Sequence, residues 1–321
     1  MEDWGAPESD WRRIEALVDV TPGIDAYCSG PDWVFPTHLG FAPQQPALVL
    51  GDLERWAALL SEYADESGEI VLSGLEPRWG FSCPVLTADP VKHVPELIGE
   101  LEEIPNWTRL VITGLTAESE LFDALGRNLS RLGTVYMAEG MECCVADLSG
   151  GVDRWLDRRS ARFRRQWKRW VAAVSDPSLI IEDVTTAHGL MDRLLAIERR
   201  GWKGQEHDGI TADSMQRMYR DMIERLARRG RLRASIAVVE GEDAGFIFGG
   251  SRAGVYRGLQ LSYAESAADL SLGHVLQCHQ IRSLDGSDVH TYNLGMDMDY
   301  KRRWADTLRP TAVLIVHRRP H

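Results

Sequence analysis

A chain of 321 residues exceeds the size at which one hydrophobic core keeps growing, and 44% hydrophobic with 26% charged residues is ordinary globular composition, which excludes a disordered or fibrous protein. No window approaches the roughly 18 consecutive apolar residues of a membrane span, and the acidic start from Met1 to Asp10 lacks the basic and apolar regions of a signal peptide, so a soluble cytoplasmic protein is expected. The net charge of -12 divides unevenly: residues 1–150 carry 26 Asp/Glu against 8 Lys/Arg, residues 151–321 carry 22 against 28, an asymmetry that suits two domains and a local anionic ligand on the second but not general nucleic-acid binding.

In chain order, Pro46–Leu50 predicts a strand, and Leu53, Trp56, Ala57, Leu60 and Tyr63 follow at helical spacing. Ile70–Leu72 and Trp79–Thr87 read as strands, Val94–Leu101 as a helix and Arg109–Leu115 as a strand. A helix over Ser119–Leu132 stops at Gly133, and Thr134–Leu148 is a long extended run. The alternation predicts an α/β domain over residues 1–150, with Ser149-Gly150-Gly151 as linker and a second domain over 151–321.

The second half opens on the most basic stretch, Arg158–Trp170, where Phe163, Trp167, Trp170, Val171 and Val174 share one helical face and the arginines the other. That face is either solvated or in contact with a phosphate or an acceptor. Met215, Met218, Tyr219, Met222, Ile223 and Leu226 form a core-packing stripe on a second helix. Ala234–Glu240, a turn at Gly241-Glu242-Asp243 and Ala244–Gly249 predict a hairpin, then a strand over Gly254–Tyr263, a helix over Leu272–Leu284, and strands over Val289–Leu294 and Thr311–His317. The five cysteines show no zinc-site spacing and read as reduced, mostly buried thiols, with adjacent Cys143 and Cys144 expected to face opposite sides of a strand, one inward and one outward. No metal is called for.

Ser271-Leu272-Gly273-His274 opens the helix that continues through Val275, and a helix start with free amides, a positive dipole end and a glycine suits an anion. Together with Ser160–Arg165, Glu198 before Trp202-Lys203-Gly204, the hairpin, Leu270–Gly273 and Tyr300-Lys301-Arg302-Arg303-Trp304, this series resembles the BcsL/CelD-type (cellulose-biosynthesis-type) acetyltransferases of the GNAT superfamily, relatives of the Fem-type aminoacyl transferases. It departs from them at Leu272, where proline is usual, and Leu270 breaks the loop of ordinary GNAT enzymes. The resemblance covers residues 150–305 and implies two GNAT-like domains in tandem, with mixed, mostly antiparallel sheets flanked by helices and a degenerate first copy.

It further implies an N-acyltransferase that moves an acetyl or longer acyl group from acyl-CoA to an amine of a small molecule, peptide or sugar. Cofactor contact then falls on Leu259, Gln260, Leu261 and Ser262 of the strand, where a backbone N–H is the expected oxyanion donor, and on Ser271, Leu272, Gly273, His274 and Val275. Lys301 is the leading catalytic candidate as a cation near developing charge, Tyr300 a proton donor to the thiolate or a half-buried anchor, and Glu198 a general base or half of an intrahelical ion pair. Asp297 and Asp299, with Glu206, His207 and Asp208, lie toward the acceptor end, and Trp202, Lys203, Arg303 and Trp304 are candidates for substrate contact, the last two better suited to bracing the segment by packing and pairing. The alternatives are an aminoacyl-tRNA-dependent transferase and a non-catalytic binding module.

Overall fold

The computed structural model describes residues 8–201 and 209–319. In chain order the elements are α1 (Glu8–Val20), α2 (Pro31–Phe41), β1 (Ala47–Leu50), β2 (Trp56–Ala64), β3 (Ile70–Gly74), β4 (Val85–Thr87), α3 (Pro90–Glu103), β5 (Arg109–Leu115), α4 (Glu120–Leu129) and β6 (Gly133–Asp147). There follow α5 (Gly151–Asp157), α6 (Ala161–Val174), β7 (Leu179–Val184), α7 (Leu190–Glu198), α8 (Asp213–Arg228), β8 (Leu232–Val239), β9 (Glu242–Arg252), β10 (Val255–Tyr263), α9 (Leu272–Ser283), β11 (Thr291–Met296), α10 (Asp299–Arg302) and β12 (Thr307–Arg318). The fold is mixed α/β, with mostly antiparallel strand pairing flanked by helices. Among the described residues no helix is long and apolar enough to cross a membrane. The chain divides into two compact units, Met1–Glu142 with Pro310–His321, and Cys143–Arg309.

In the first unit the strands run β1-β2-β3-β5-β12, with β4 also paired to β2 and only β3/β5 parallel. Its core joins Val94, Leu97, Ile98 and Leu101 of α3 and Leu121, Leu125 and Leu129 of α4 to Leu60, Leu72, Leu110, Ile112 and Leu314 of the sheet. The segment expected as a helix from Leu53 to Tyr63 is instead the hairpin partner of β1, with Leu50 opposite Ala58. Every residue from Trp56 to Ser61 is buried, so the strand is apolar on both faces and loses the alternation that marks a strand. The turn into it is built by Gly51 and Leu53 at positive φ (87° and 61°), with the Asp52 carboxylate accepting the N–H groups of Glu54 and Arg55. The strand expected from Trp79 begins only at Val85, because residues 78–82 wrap around the buried Glu76 carboxylate, which takes the N–H groups of Arg78, Trp79, Phe81 and Ser82.

In the second unit the order is β6-β11-β10-β9-β8-β7, antiparallel throughout except β10/β11. One core unites Trp155 of α5, Phe163, Trp167 and Trp170 of α6, and Leu272, Val275 and Leu276 of α9 with Tyr256, Tyr292 and Leu294 of the sheet. Met218 and Met222 of α8 are fully buried, and Tyr219 sets its ring edge-on to Phe248 of β9 at 5.3 Å, so the methionine stripe does pack as core. Cys143 and Cys144 are both buried, at 4% and 0% exposure, in place of one facing outward, because β6 is covered on both sides from Cys143 to Ala146. All five cysteines are buried thiols outside any disulfide, and burial pushes the thiols of Cys83 and Cys278 up to about 12. An aromatic disulfide reagent is therefore expected to titrate none of them in the native protein and all five after denaturation; rapid native labelling of any one would show that its cover opens.

Candidate active site between strands 10 and 11

β10 and β11 pair as parallel neighbours over only three positions, Val255/Thr291, Tyr256/Tyr292 and Arg257/Asn293. Beyond Arg257, β10 stays with β9 and β11 with β6, so the two strands part and leave a wedge in the sheet. The parting begins at a bulge between Gly258 and Gln260. Gly249 lies opposite Gly258 there, and a Cβ on Gly249 would run into the Arg257 carbonyl and the Tyr256 hydroxyl, so only glycine allows this approach. One inserted residue re-aims the side chains beyond it. Gln260 Nε2 donates to the buried Tyr219 Oη at 3.1 Å, and the Arg257 charge acts on the same phenol.

Around the wedge, Arg257 is 3% exposed and its guanidinium donates to Asn293 Oδ1 at 2.7 Å, and the same oxygen accepts the Gly295 N–H at 2.9 Å. A Cβ on Gly295, which has φ of 87°, would meet Lys301 Nζ at 3.3 Å and the Arg257 guanidinium at 3.6 Å. Two cations from separate elements thus converge on one glycine. Lys301 is half-buried and donates to the Met296 carbonyl at 3.2 Å, while its neighbour Tyr300 is 53% exposed. Asp297 is engaged by Arg302, which holds its carboxyl down to about 2, and accepts from the Cys144 thiol at 3.2 Å. Burial first and that contact second push the Cys144 thiol up to about 11.

Glu198 ends α7 and is completely buried. Its Oε1 accepts the Ile210 N–H at 3.4 Å, and Oε2 has no hydrogen-bond partner among the described residues. Burial pushes the Tyr219 phenol up to about 12, a shift opposed by Gln260 and Arg257 and reinforced by the Glu198 carboxyl, which puts Glu198, Tyr219, Gln260 and Arg257 in one electrostatic neighbourhood. Tyr219, Arg257 and Asn293 of this region are not among the site residues expected from the sequence. The available signal was a basic residue beside a glycine inside an otherwise apolar strand, Tyr256-Arg257-Gly258-Leu259.

Farther along β10, Leu259 and Leu261 are half-buried and Ser262 is buried. The N-cap of α9 is Ser271, which has left-handed φ of 55° and makes no side-chain cap; its carbonyl accepts the His274 N–H at 2.9 Å, and the amides of Leu272 and Gly273 are left to other acceptors. A Cβ on Gly273 would touch Tyr263 at 3.2 Å and Leu261 at 3.4 Å, which sets this helix start against β10. The Leu272 and Val275 side chains are buried in the core and offer only their backbone to a ligand. The His274 ring lies 4.7 Å from that of Trp170, and burial first, then Arg303, lowers its basicity. Trp304 is 2% exposed within the aromatic core, and Arg303 lies over Phe163 and Trp170 while donating to Gln166 Oε1 at 2.9 Å. Trp202, Lys203, Glu206, His207 and Asp208 lie outside the described residues.

The segment is pinned by Asp306, which receives Arg158 Nε at 2.9 Å, Arg159 at 2.8 Å and the Asp147 N–H at 2.8 Å. Burial pushes this carboxyl up, but the guanidinium and amide donors outweigh it and hold it below its ordinary value. Its contribution is therefore present above about pH 4 and is lost as the pH falls through the lowered native value. Asp306→Asn is expected to lose about 2 kcal/mol at pH 7 and to show a shallower acid limb than the wild type in melts from neutral to acid pH; parallel limbs would remove Asp306 as a source of acid sensitivity.

Residues 157–302 match the family described as acetyltransferase (GNAT) domain. Among solved structures the chain is similar to a conserved protein of unknown function from Bacteroides thetaiotaomicron, at 12% identity over 97% of this chain and 98% of that one with a TM-score of 0.67. It is likewise similar to FemX, at 11% identity over 94% and 95% with a TM-score of 0.66, and to L-PGS from Bacillus licheniformis, at 12% identity over 98% and 93% with a TM-score of 0.58. At such identities the likeness is one of fold. No curated protein matches the sequence at a significant level.

Proposed function

We propose that this protein is an N-acyltransferase that carries an acetyl or longer acyl group from acyl-CoA to an amine, with the catalytic site in the wedge between β10 and β11. The observation that carries the reading is that wedge, opened after three residue pairs and followed in the chain by a helix whose start, at Ser271, makes no side-chain cap. The GNAT-domain match over residues 157–302 supports it. The BcsL/CelD-type affiliation, and the first unit as a degenerate second copy of the same domain, are parts of the same proposal.

Acyl transfer needs a deprotonated amine, a donor to the oxyanion and a source of a proton for the departing thiolate. The Leu272 and Gly273 amides at the start of α9 suit a pyrophosphate. The side of β10 that borders the wedge, from Leu259 to Ser262, carries backbone N–H groups that suit an oxyanion. Lys301 and Arg257 supply positive charge next to Gly295, and Glu198, buried with one carboxylate oxygen lacking a partner among the described residues, suits the role of proton acceptor from an ammonium. Tyr300, exposed beside Lys301, suits proton donation to the thiolate.

The second reading, transfer from aminoacyl-tRNA, draws on the exposed basic face of α6, where Arg162, Arg164, Arg165, Lys168 and Arg169 all face solvent, and on the fold shared with FemX. Calorimetric titration of acetyl-CoA and a medium-chain acyl-CoA into wild type and Lys301→Ala separates the two. Binding to the wild type, weakened in the variant, is the expected result. No binding of either acyl-CoA, together with salt-sensitive binding of tRNA, would replace the first reading with the second.

A further inference from the structure

We infer that the junction of α5 and α6 is a binding pocket for a phosphate group, separate from the helix start at Ser271. A pocket of about 400 Å³ opens there, lined by Arg158, Arg159, Arg162 and Arg303 with Phe163 and Gln166. The charges around it do not cancel. Arg158 and Arg159 share the single carboxylate of Asp306, and Asp147 reaches Arg158 at 3.8 Å. Arg162 is exposed and has no ion pair among the described residues, while Arg303 is met by the neutral Gln166 and by the faces of Phe163 and Trp170. Four guanidinium groups against two carboxylates leave two positive charges uncompensated around one concavity.

Such a cluster is self-repelling unless an anion joins it, and free long side chains would otherwise spread apart into solvent. Here three of the four are fixed. Arg159 has a side chain only 9% exposed, clamped by Asp306 and the Trp304 and Ala305 carbonyls, yet its Nε has no partner among the described residues. Arg158 is locked by Asp306 and the Asp147 carbonyl, and Arg303 by its ring contacts. The start of α6 adds to this: Ser160 lines the pocket, its hydroxyl accepts the Phe163 N–H and no other donor among the described residues, and with it comes the positive end of a 14-residue helix. Planar forks held in position around an uncompensated charge fit the oxygens of a phosphate monoester or diphosphate. Two substrates can supply that group: the 3′-phosphate of coenzyme A, or a phosphate carried by the amine acceptor.

The test needs no acyl transfer, so it stands or falls apart from the proposed activity. Sodium pyrophosphate, CoA and dephospho-CoA are titrated into wild type, Arg162→Ala, Arg303→Ala and Lys168→Ala. Arg162 is exposed and unpaired, so its variant is expected to fold, and Lys168, exposed on the same helix but outside the pocket, controls for the general basic field. Pyrophosphate is expected to bind the wild type and Lys168→Ala alike and about tenfold more weakly to Arg162→Ala and Arg303→Ala. If CoA binds more tightly than dephospho-CoA in the wild type but not in Arg162→Ala, the phosphate belongs to CoA; if the two bind alike while pyrophosphate still binds, it belongs to the acceptor. No pyrophosphate binding at millimolar concentration, or equal weakening in Lys168→Ala, would overturn the inference.

Discussion

Trp304→Ala is expected to cost about 3–5 kcal/mol, the range for emptying a large aromatic site in a core, and to lower the melting temperature of the second unit by on the order of 10 °C. The side chain is 2% exposed and lies among five rings: Trp155, stacked at 6.2 Å with 12° between planes, Trp170 at 5.3 Å, Phe163 edge-on at 5.2 Å, Trp167 at 6.4 Å and His274 at 6.0 Å. These rings come from α5, α6 and α9, so one indole joins three helices. It also anchors the short segment that carries Lys301 and Arg303, and its carbonyl accepts from Trp155 Nε1 at 3.3 Å. Against a typical stability of about 5–15 kcal/mol such a loss leaves the unit marginal. Trp304→Phe keeps part of the contact and is expected to fall between the two. The sequence also left Trp304 open as a substrate contact, and the melt separates the roles: a variant that melts like the wild type but has a raised KM for the acceptor would make the indole a ligand surface.

The parts of this architecture readable in the sequence are those governed by short-range periodicity. Phe163, Trp167 and Trp170 recur on one face of α6, and the hairpin of β8 and β9 is punctuated by Gly241, so propensity, pattern and burial agree. β2 reads as a helix because it is buried on both faces, which erases the period of two, and Trp56, Ala57, Leu60 and Tyr63 then fit a helix equally well. The helix α2 escapes notice for a different reason: Pro31 and Pro36 both lie within it, and nine of its residues are buried, so it lacks the polar face by which amphipathic helices are found. The site is half legible for a third reason. Lys301 and Glu198 announce themselves as unusual residue types in a motif, but the meeting of Tyr219 from α8, Gln260 from a bulge in β10 and Arg257 is a long-range pairing that no local window contains.

Glu198→Gln is expected to reduce kcat by about 10²–10⁴-fold while leaving the KM for acyl-CoA and the melting temperature near those of the wild type. The substitution keeps the shape of a side chain that is fully buried at the end of α7, and the amide oxygen can still accept the Ile210 N–H. What it removes is the capacity to take a proton. Glu198 accepts one long hydrogen bond at 3.4 Å and leaves its other oxygen without a partner among the described residues, an arrangement that costs free energy unless a donor arrives with the substrate. Under the proposed function, an amine entering as its ammonium form would supply that donor and lose the proton to it. A carboxyl with a purely structural role behaves differently: the Gln variant would lose stability and keep its turnover. Tyr219→Phe extends the test, since it deletes the hydroxyl that Gln260 donates to and keeps the ring packed on Phe248. If Tyr219 orders the groups on the β10 side of the wedge, the Phe variant loses less turnover than Glu198→Gln, and the double variant loses no more than Glu198→Gln alone, because residues that act as a unit are not additive.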